Sequence, residues 1–103
     1  MAARYAELRP DEHQLDGAWL DTPEGAESDE VDRRIFWLIR HSLRSRAMTN
    51  GGWDQLYVDP RDGRYWELTF PHGSLHGGGP RRLAAIGAEM AREKYGVSEP
   101  DPT

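Results

Sequence analysis

The stretch that decides the fold is Trp53-Asp54-Gln55-Leu56-Tyr57-Val58, followed by Asp59-Pro60-Arg61-Asp62-Gly63 and then Arg64-Tyr65-Trp66-Glu67-Leu68-Thr69-Phe70. It reads as a β-hairpin. In the second arm Trp66, Leu68 and Phe70 alternate with Tyr65, Glu67 and Thr69, the period of a strand with one apolar and one more polar face. Between the arms, Pro60 presets φ for a turn, Asp59 offers a carboxylate to the backbone N–H groups that follow, and Gly63 tolerates positive φ. The loop length leaves the register open. A slip of one residue decides whether Leu56 and Val58, or Trp53 and Tyr57, share the face of Trp66.

Working outward toward the C-terminus, residues 71–80 form a loop rich in glycine, Arg82-Leu83-Ala84-Ala85-Ile86 reads as a further strand, and Ala88 to Tyr95 as a short helix ended by Gly96. Residues 98–103, with two prolines, are expected to fray. Toward the N-terminus, residues 29–47 read as the main helix. Ser28 suits the N-cap, and Asp29, Glu30 and Asp32 fall in the first turn. Arg40, Arg44 and Arg46 fall toward the end that favours cations. Val31, Ile35, Leu38, Ile39 and Leu43 make the buried stripe, flanked by Phe36. Asn50-Gly51-Gly52 closes that region with residues that accept positive φ. Residues 15–20 have weak strand character, residues 21–27 form a polar turn segment, and residues 1–14 are irregular around Pro10. The order strand, helix, strand, strand, strand, helix predicts an α+β fold. We expect one domain over residues 1–97: a small antiparallel sheet of three to four strands, with one long helix and one short C-terminal helix packed on one face of it.

Composition sets bounds on what such a domain does. With 103 residues there is room for one small core, and zero cysteines exclude disulfides, thiol nucleophiles and cysteine-ligated metal. Four Trp, four Tyr and two Phe enlarge a core drawn from only 37% hydrophobic residues. No apolar run approaches membrane-spanning length and the first residues lack a signal-peptide core, so a cytoplasmic location is expected. The net charge of −5 argues against nucleic-acid binding, yet it is an average of two unlike parts. Residues 1–32 hold ten acids and two bases, a net −8, whereas residues 33–103 hold eight acids and eleven bases, a net +3. The acidic third is either a surface for a basic partner or is answered by the protein's own arginines.

No local pattern supports catalysis. Gly77-Gly78-Gly79 lacks the Gly-Lys-Ser/Thr ending of a phosphate loop and precedes Pro80, where a helix N-terminus should donate. Its reading is a backbone that packs closely or meets a partner, against a merely flexible loop. His72 and His76 lie in a loop without further ligands, so no metal site is expected and no cofactor is implied. Asp59 and Asp62 serve the turn, and Glu67 follows strand alternation. Trp37 is out of phase with the buried stripe and lies near Arg33, Arg40, His41 and Arg44, a face suited, with Arg34 added, to stacking on a nucleic acid or a protein. The favoured alternative folds residues 7–20 over the helix, so that Trp37 is covered and the arginines meet N-terminal acids.

The run Asp59-Pro60-Arg61-Asp62-Gly63-Arg64-Tyr65-Trp66-Glu67-Leu68-Thr69-Phe70-Pro71, followed by His76-Gly77-Gly78-Gly79-Pro80, resembles the immunity protein 27 family of bacterial polymorphic toxin systems. Leu8-Arg9-Pro10, Leu15, Gly17-Ala18-Trp19, Gly52-Trp53, Leu56-Tyr57 and Lys94-Tyr95 extend the likeness over residues 8–95. The chain departs from the family pattern at His72-Gly73, where Gln-Ser is expected, at Arg81, where a second proline is expected, and at Gly87, near which a Ser or Thr cap is expected. The resemblance implies a small α+β protein that binds and neutralises a cognate toxin of the producing cell and carries no catalytic residue. The charge split suggests a basic, nuclease-like toxin. Candidate contacts are His76, Gly77, Gly78 and Gly79 in the loop, Asp59 and Asp62 in the turn, Trp53 and Tyr65 as edge aromatics, and Asp11, Glu12 and Asp16 in the acidic third. The alternative function is a small nucleic-acid-binding module that uses the Arg/Trp face of the helix.

Overall fold

The computed structural model describes residues 5–73 and 79–97. Among these residues, seven strands and two α-helices follow the order β1 (Gln14–Asp16), β2 (Trp19–Thr22), β3 (Gly25–Ser28), α1 (Glu30–His41), β4 (Arg44–Thr49), β5 (Asp54–Val58), β6 (Tyr65–Thr69), β7 (Arg82–Ile86) and α2 (Ala88–Tyr95). A single 3-10 turn, Asn50–Gly52, joins β4 to β5. The fold is α+β, but its sheet is larger than three or four strands. Five antiparallel strands run in the order β1-β7-β6-β5-β4, and β2 and β3 pair only with each other.

The central hairpin sets the register for the rest. Tyr57 lies opposite Trp66, Val58 opposite Tyr65 and Leu56 opposite Glu67. Tyr57 therefore shares the Trp66 face, and Leu56 and Val58 take the other. The turn forms by the chemistry its residues offer. Gly63 N–H donates to Asp59 O at 2.7 Å, Arg61 N–H to Asp59 Oδ1 at 2.9 Å, and Arg64 N–H to Asp62 Oδ1 at 3.0 Å, with Gly63 at φ 78°.

Each face of the sheet has its own helix, which corrects the expectation that both helices share one face. On the Trp66 face, α1 buries Ile35 and Leu38 against Tyr57, Trp66, Leu68 and Leu83, with Leu8 and Leu43 closing the rim. Each fully buried aliphatic side chain there contributes about 1.5–3 kcal/mol. On the opposite face, α2 sets Ala91 against Leu56 and Tyr65, with Ala88, Tyr95, Val58 and Ile86 around them. Alternation made this face look more polar because Glu67 lies on it. Glu67 is in fact bound: Lys94 Nζ lies 2.6 Å from its Oε2, and Tyr95 Oη donates to the same oxygen at 2.8 Å. Burial and then the Glu67 carboxylate push the Tyr95 phenol up, and the hydrogen bond to Glu67 raises the Lys94 ammonium.

The main helix is shorter than the expected 29–47. It starts one residue later than read, with Asp29 rather than Ser28 as its cap, and ends at His41. Ser42 and Leu43 both donate their N–H to Leu38 O, and the chain turns into β4. Arg44 and Arg46 therefore stand on an edge strand rather than in the last helical turn. Arginines and a bulge between Ser45 and Ala47 are devices that keep an edge from pairing with another chain. Asn50, Gly51 and Gly52 do take positive φ, but they connect two strands instead of ending a helix. The weak strand at 15–20 resolves into β1 and β2, and the polar segment 21–27 is most of a second hairpin.

Candidate protein-binding surface

The acidic third divides into two regions with opposite fates. The strap of residues 5–13 crosses the helix on the Trp66 side of the sheet. Leu8 enters the core, and the Tyr5 ring lies 6.4 Å from that of Trp37, which stays half-buried at the edge of a pocket; the contact comes from Tyr5 rather than from the expected residues 7–20. Arg34 binds the strap with its whole guanidinium. Nη1 and Nη2 donate to the two carboxylate oxygens of Glu12, each at 2.7 Å, Nη2 also to Glu7 O at 3.0 Å, and Nε to Ala6 O at 2.9 Å. This fork holds the Glu12 carboxyl down to about 2. Arg64 adds bonds to Glu12 O at 2.7 Å and Arg9 O at 3.0 Å. Glu7 meets Arg61 at 3.0 Å and accepts from Ser42 Oγ. Asp16, on β1, meets Arg82 at 2.5 Å, and its carboxyl is lowered by hydrogen bonds from Gln14 and Arg82.

A joint follows. Gly17 N–H donates to Arg81 O at 2.8 Å. Ala18 N–H donates to Asp29 Oδ1 at 3.1 Å, and Asp29 N–H returns a bond to Ala18 O at 2.9 Å. The same Oδ1 caps α1 by accepting from Asp32 N–H at 2.8 Å. Asp32 is fully buried and takes Arg81 twice, from the backbone N–H at 2.9 Å and from Nη1 at 2.8 Å. A proline at 81 would have no N–H for the first of these bonds. Gly17 is required by space: a Cβ there would lie 2.7 Å from Asp32 Oδ1 and 2.9 Å from Arg81 O.

Beyond the joint, the β2–β3 hairpin stands clear of both hydrophobic clusters. None of its residues is buried, and Trp19 and Leu20 are 38% and 50% exposed. Its turn is Thr22-Pro23-Glu24-Gly25, with Thr22 Oγ1 donating to Gly25 O at 2.6 Å. Opposite pairs Trp19/Ser28 and Asp21/Ala26 fall on one face, and Leu20/Glu27 on the other. Asp21, Glu24 and Glu27 have no ion pair among the described residues.

The residues singled out from sequence fall at two ends of the sheet. Asp11, Glu12, Asp59 and Asp62 gather at the end of the 59–63 turn and are engaged there. Asp59 is 1% exposed inside its own turn, and Asp11 and Asp62 lie against Arg9 and Arg64. Burial works upward on Asp62, but the bonds from Arg64 outweigh it and lower its carboxyl. Tyr65 is corrected from an edge aromatic to a core residue, 3% exposed beneath α2. Asp16, Trp53 and Gly79 lie toward the opposite end, where the β2–β3 hairpin also leaves the sheet. Trp53 is 51% exposed, edge-on to Phe70 at 5.4 Å, beside a pocket of about 220 Å³ lined by Asn50, Asp54 and Gly73. His72 is exposed, and Gly79 is buried at φ 76°. His76, Gly77 and Gly78 lie outside the described residues, as do residues 98–103.

The Arg/Trp face is partly kept: Trp37, Arg33, Arg40 and His41 line one pocket, while Arg34 and Arg44 leave it. Arg34 turns inward to Glu12, Arg33 pairs with Glu30 at 3.1 Å, and Arg44 is on β4. What remains is an open pocket of about 470 Å³ on α1, where Arg40 and Arg81 flank the Phe36 ring at 5.2 and 4.9 Å.

The hairpin was missed from sequence because neither of its faces is buried, so no apolar alternation marks it. The available signal was the turn itself, with proline second and glycine fourth.

Among known proteins, the sequence model of a family described as Immunity protein 27 matches residues 21–87, about two-thirds of the chain. The match runs from within β2 through β7, so most of the hairpin, α1 and the four-strand meander fall inside it and the strap falls outside. No curated protein and no solved structure matches the chain. No helix among the described residues is long and apolar enough to cross a membrane.

Proposed function

This chain belongs to the immunity protein 27 family, and from that premise we propose that it neutralises a cognate polymorphic toxin by stoichiometric protein–protein contact, without catalysis. Family membership carries the reading. The surface chemistry supports it: large apolar side chains, Trp19, Leu20 and Trp53, are exposed at one end of the sheet, while the polar groups of the other end are spent on the protein's own backbone and arginines. Exposed aromatics are the side chains that anchor protein interfaces. A contact surface at the end of the sheet bearing Trp53 and the hairpin would occlude or lock the toxin in the cytoplasm of the producing cell.

Coexpression tests the reading directly. A candidate toxin domain from the adjacent gene, where a cognate toxin is expected, is produced with and without the immunity chain. Survival of the doubly expressing cells and copurification of a one-to-one pair are expected. Cell death despite soluble immunity protein, with no pair recovered, overturns the proposal.

A further inference from the structure

The β2–β3 hairpin poses a physical question: what covers it? Two four-residue strands bury little and are marginal alone in water. Here the joint supplies the order that the hairpin's own contacts do not. Asp29 links the hairpin base to the helix cap, and the buried Asp32–Arg81 pair holds the strand end from below. The result is a fixed arm of roughly 14 Å, taking about 3.4 Å per residue, whose outer surface is unpartnered.

The distribution of side chains on the arm says what kind of partner fits. A hairpin that lay flat on a partner would concentrate its apolar groups on one face. This one carries a large apolar side chain and an acid on each face: Trp19 with Asp21, and Leu20 with Glu27. Glu24 stands in the turn at the tip. Both faces are therefore built for contact at once, which describes insertion into a groove. The charge of the groove follows from bookkeeping of the acids. In the strap, at β1 and through the first turn of α1, every acid has an ion-pair, hydrogen-bond or capping partner. Within residues 1–32 the acids left over are Asp21, Glu24 and Glu27, all on the arm; elsewhere among the described residues Glu89 and Glu93, on α2, also have no ion pair. Three uncompensated acids within one short hairpin match a groove lined by Lys and Arg, and they repel an acidic one.

We infer that the β2–β3 hairpin inserts into a basic groove of the partner protein, with Trp19 and Leu20 as apolar anchors on its two faces and Asp21, Glu24 and Glu27 as counter-charges. This rests on the immunity reading and names the chemistry of the toxin surface it would take. The apolar anchors set the lifetime of the complex. The acids speed encounter and give the association its dependence on salt.

The experiment uses the full chain and, as probe, the candidate toxin domain from the adjacent gene, separated from the copurified pair and refolded. Association and dissociation are followed at low and high sodium chloride. Trp19→Ala is expected to weaken binding about 30-fold, mostly through faster dissociation. The variant carrying Asp21→Asn, Glu24→Gln and Glu27→Gln together is expected to associate about tenfold more slowly at low salt, with a flattened salt dependence. Asp11→Asn, at the opposite end of the sheet, is expected to bind as the wild type does. Unfolding curves verify that each variant is folded, and the charge variant removes no buried group, so it remains informative if Trp19→Ala disturbs the arm. Wild-type binding with both arm variants unchanged overturns the inference and leaves the immunity reading standing. Failure of the wild type to bind the toxin overturns that reading and the inference with it.

Discussion

The strap of residues 5–13 and the β2–β3 hairpin come from the same acidic third, yet they use their charge in opposite ways. In the strap, Glu12 lies in the fork of Arg34 and Glu7 meets Arg61 and Ser42, so the acids hold chain to chain. On the hairpin, Asp21, Glu24 and Glu27 meet no cation of the described protein. The difference teaches that a net charge of −8 over residues 1–32 is not a surface property. Topology converts part of it into internal cement and leaves the rest as a field. The boundary is the joint at Gly17, Asp29, Asp32 and Arg81.

The joint is therefore where the comparison breaks most violently. Asp32→Ala removes a fully buried carboxylate and strands the Arg81 N–H and guanidinium that it satisfied. Loss of one partner from a buried pair costs about 3 kcal/mol, to be read from urea unfolding. Hydrogen exchange over residues 19–28 should accelerate beyond the global change, since the hairpin loses the strand end it rests on. Gly17→Ala attacks the same place by crowding. Its Cβ would meet Asp32 Oδ1 at 2.7 Å, Asp32 Cβ at 2.8 Å and the Arg81 carbonyl at 2.9 Å; the last two cannot swing away, and the Oδ1 is held by the Arg81 N–H. A cost of about 2 kcal/mol is expected, with a lowered urea midpoint as the measurement.

The joint also shows why the sequence was only partly legible. The central hairpin, β7 and α2 were readable because each has a buried face and punctuation: Pro60 and Gly63 in the turn, Gly96 at φ 71° ending the helix. Strand β4 was hidden because Arg44-Ser45-Arg46 continues a helix-like polar pattern and nothing in the sequence stops α1 at His41. What stops it is tertiary: Leu43 must turn into the core. Tyr65 was misplaced for a related reason. Strand alternation separates two faces but does not say that α2 will cover the second. The neutralising of N-terminal acids by the protein's own arginines follows from the charge split, whereas Trp37 is only half-buried and is met by Tyr5 rather than by residues 7–20. Which acids would escape does not follow from that split, since pairing across 22 residues between Glu12 and Arg34, or 49 between Asp32 and Arg81, has no local signature.

Within the strap, Glu12→Gln sharpens the contrast. It keeps the shape and removes the charge that Arg34 grips, at a cost of about 1.5 kcal/mol for a charge-assisted bond. The pH dependence carries the sign. The folded carboxyl titrates near 2 against an ordinary 4.5, so the unfolded chain binds the proton more readily. The stabilisation is complete above about 4.5 and drains as the pH falls toward 2. Urea midpoints measured between pH 7 and pH 3 should decline in the wild type. In the variant they should start lower and decline less.

The smallest effect is the most discriminating. Neutralising Asp21, Glu24 and Glu27 together removes three charges, whereas Glu12→Gln removes one. If charge count governed stability, the triple variant would suffer more. If pairing governs it, the triple variant should stay within about 0.5 kcal/mol of the wild type, the range of surface substitutions that break nothing. At low salt it should be level with the wild type or slightly above it, because like charges no longer share a short hairpin. A urea midpoint lowered as far as that of Glu12→Gln would mean that these acids, too, are answered inside the fold, and the two halves of the acidic third would be alike after all.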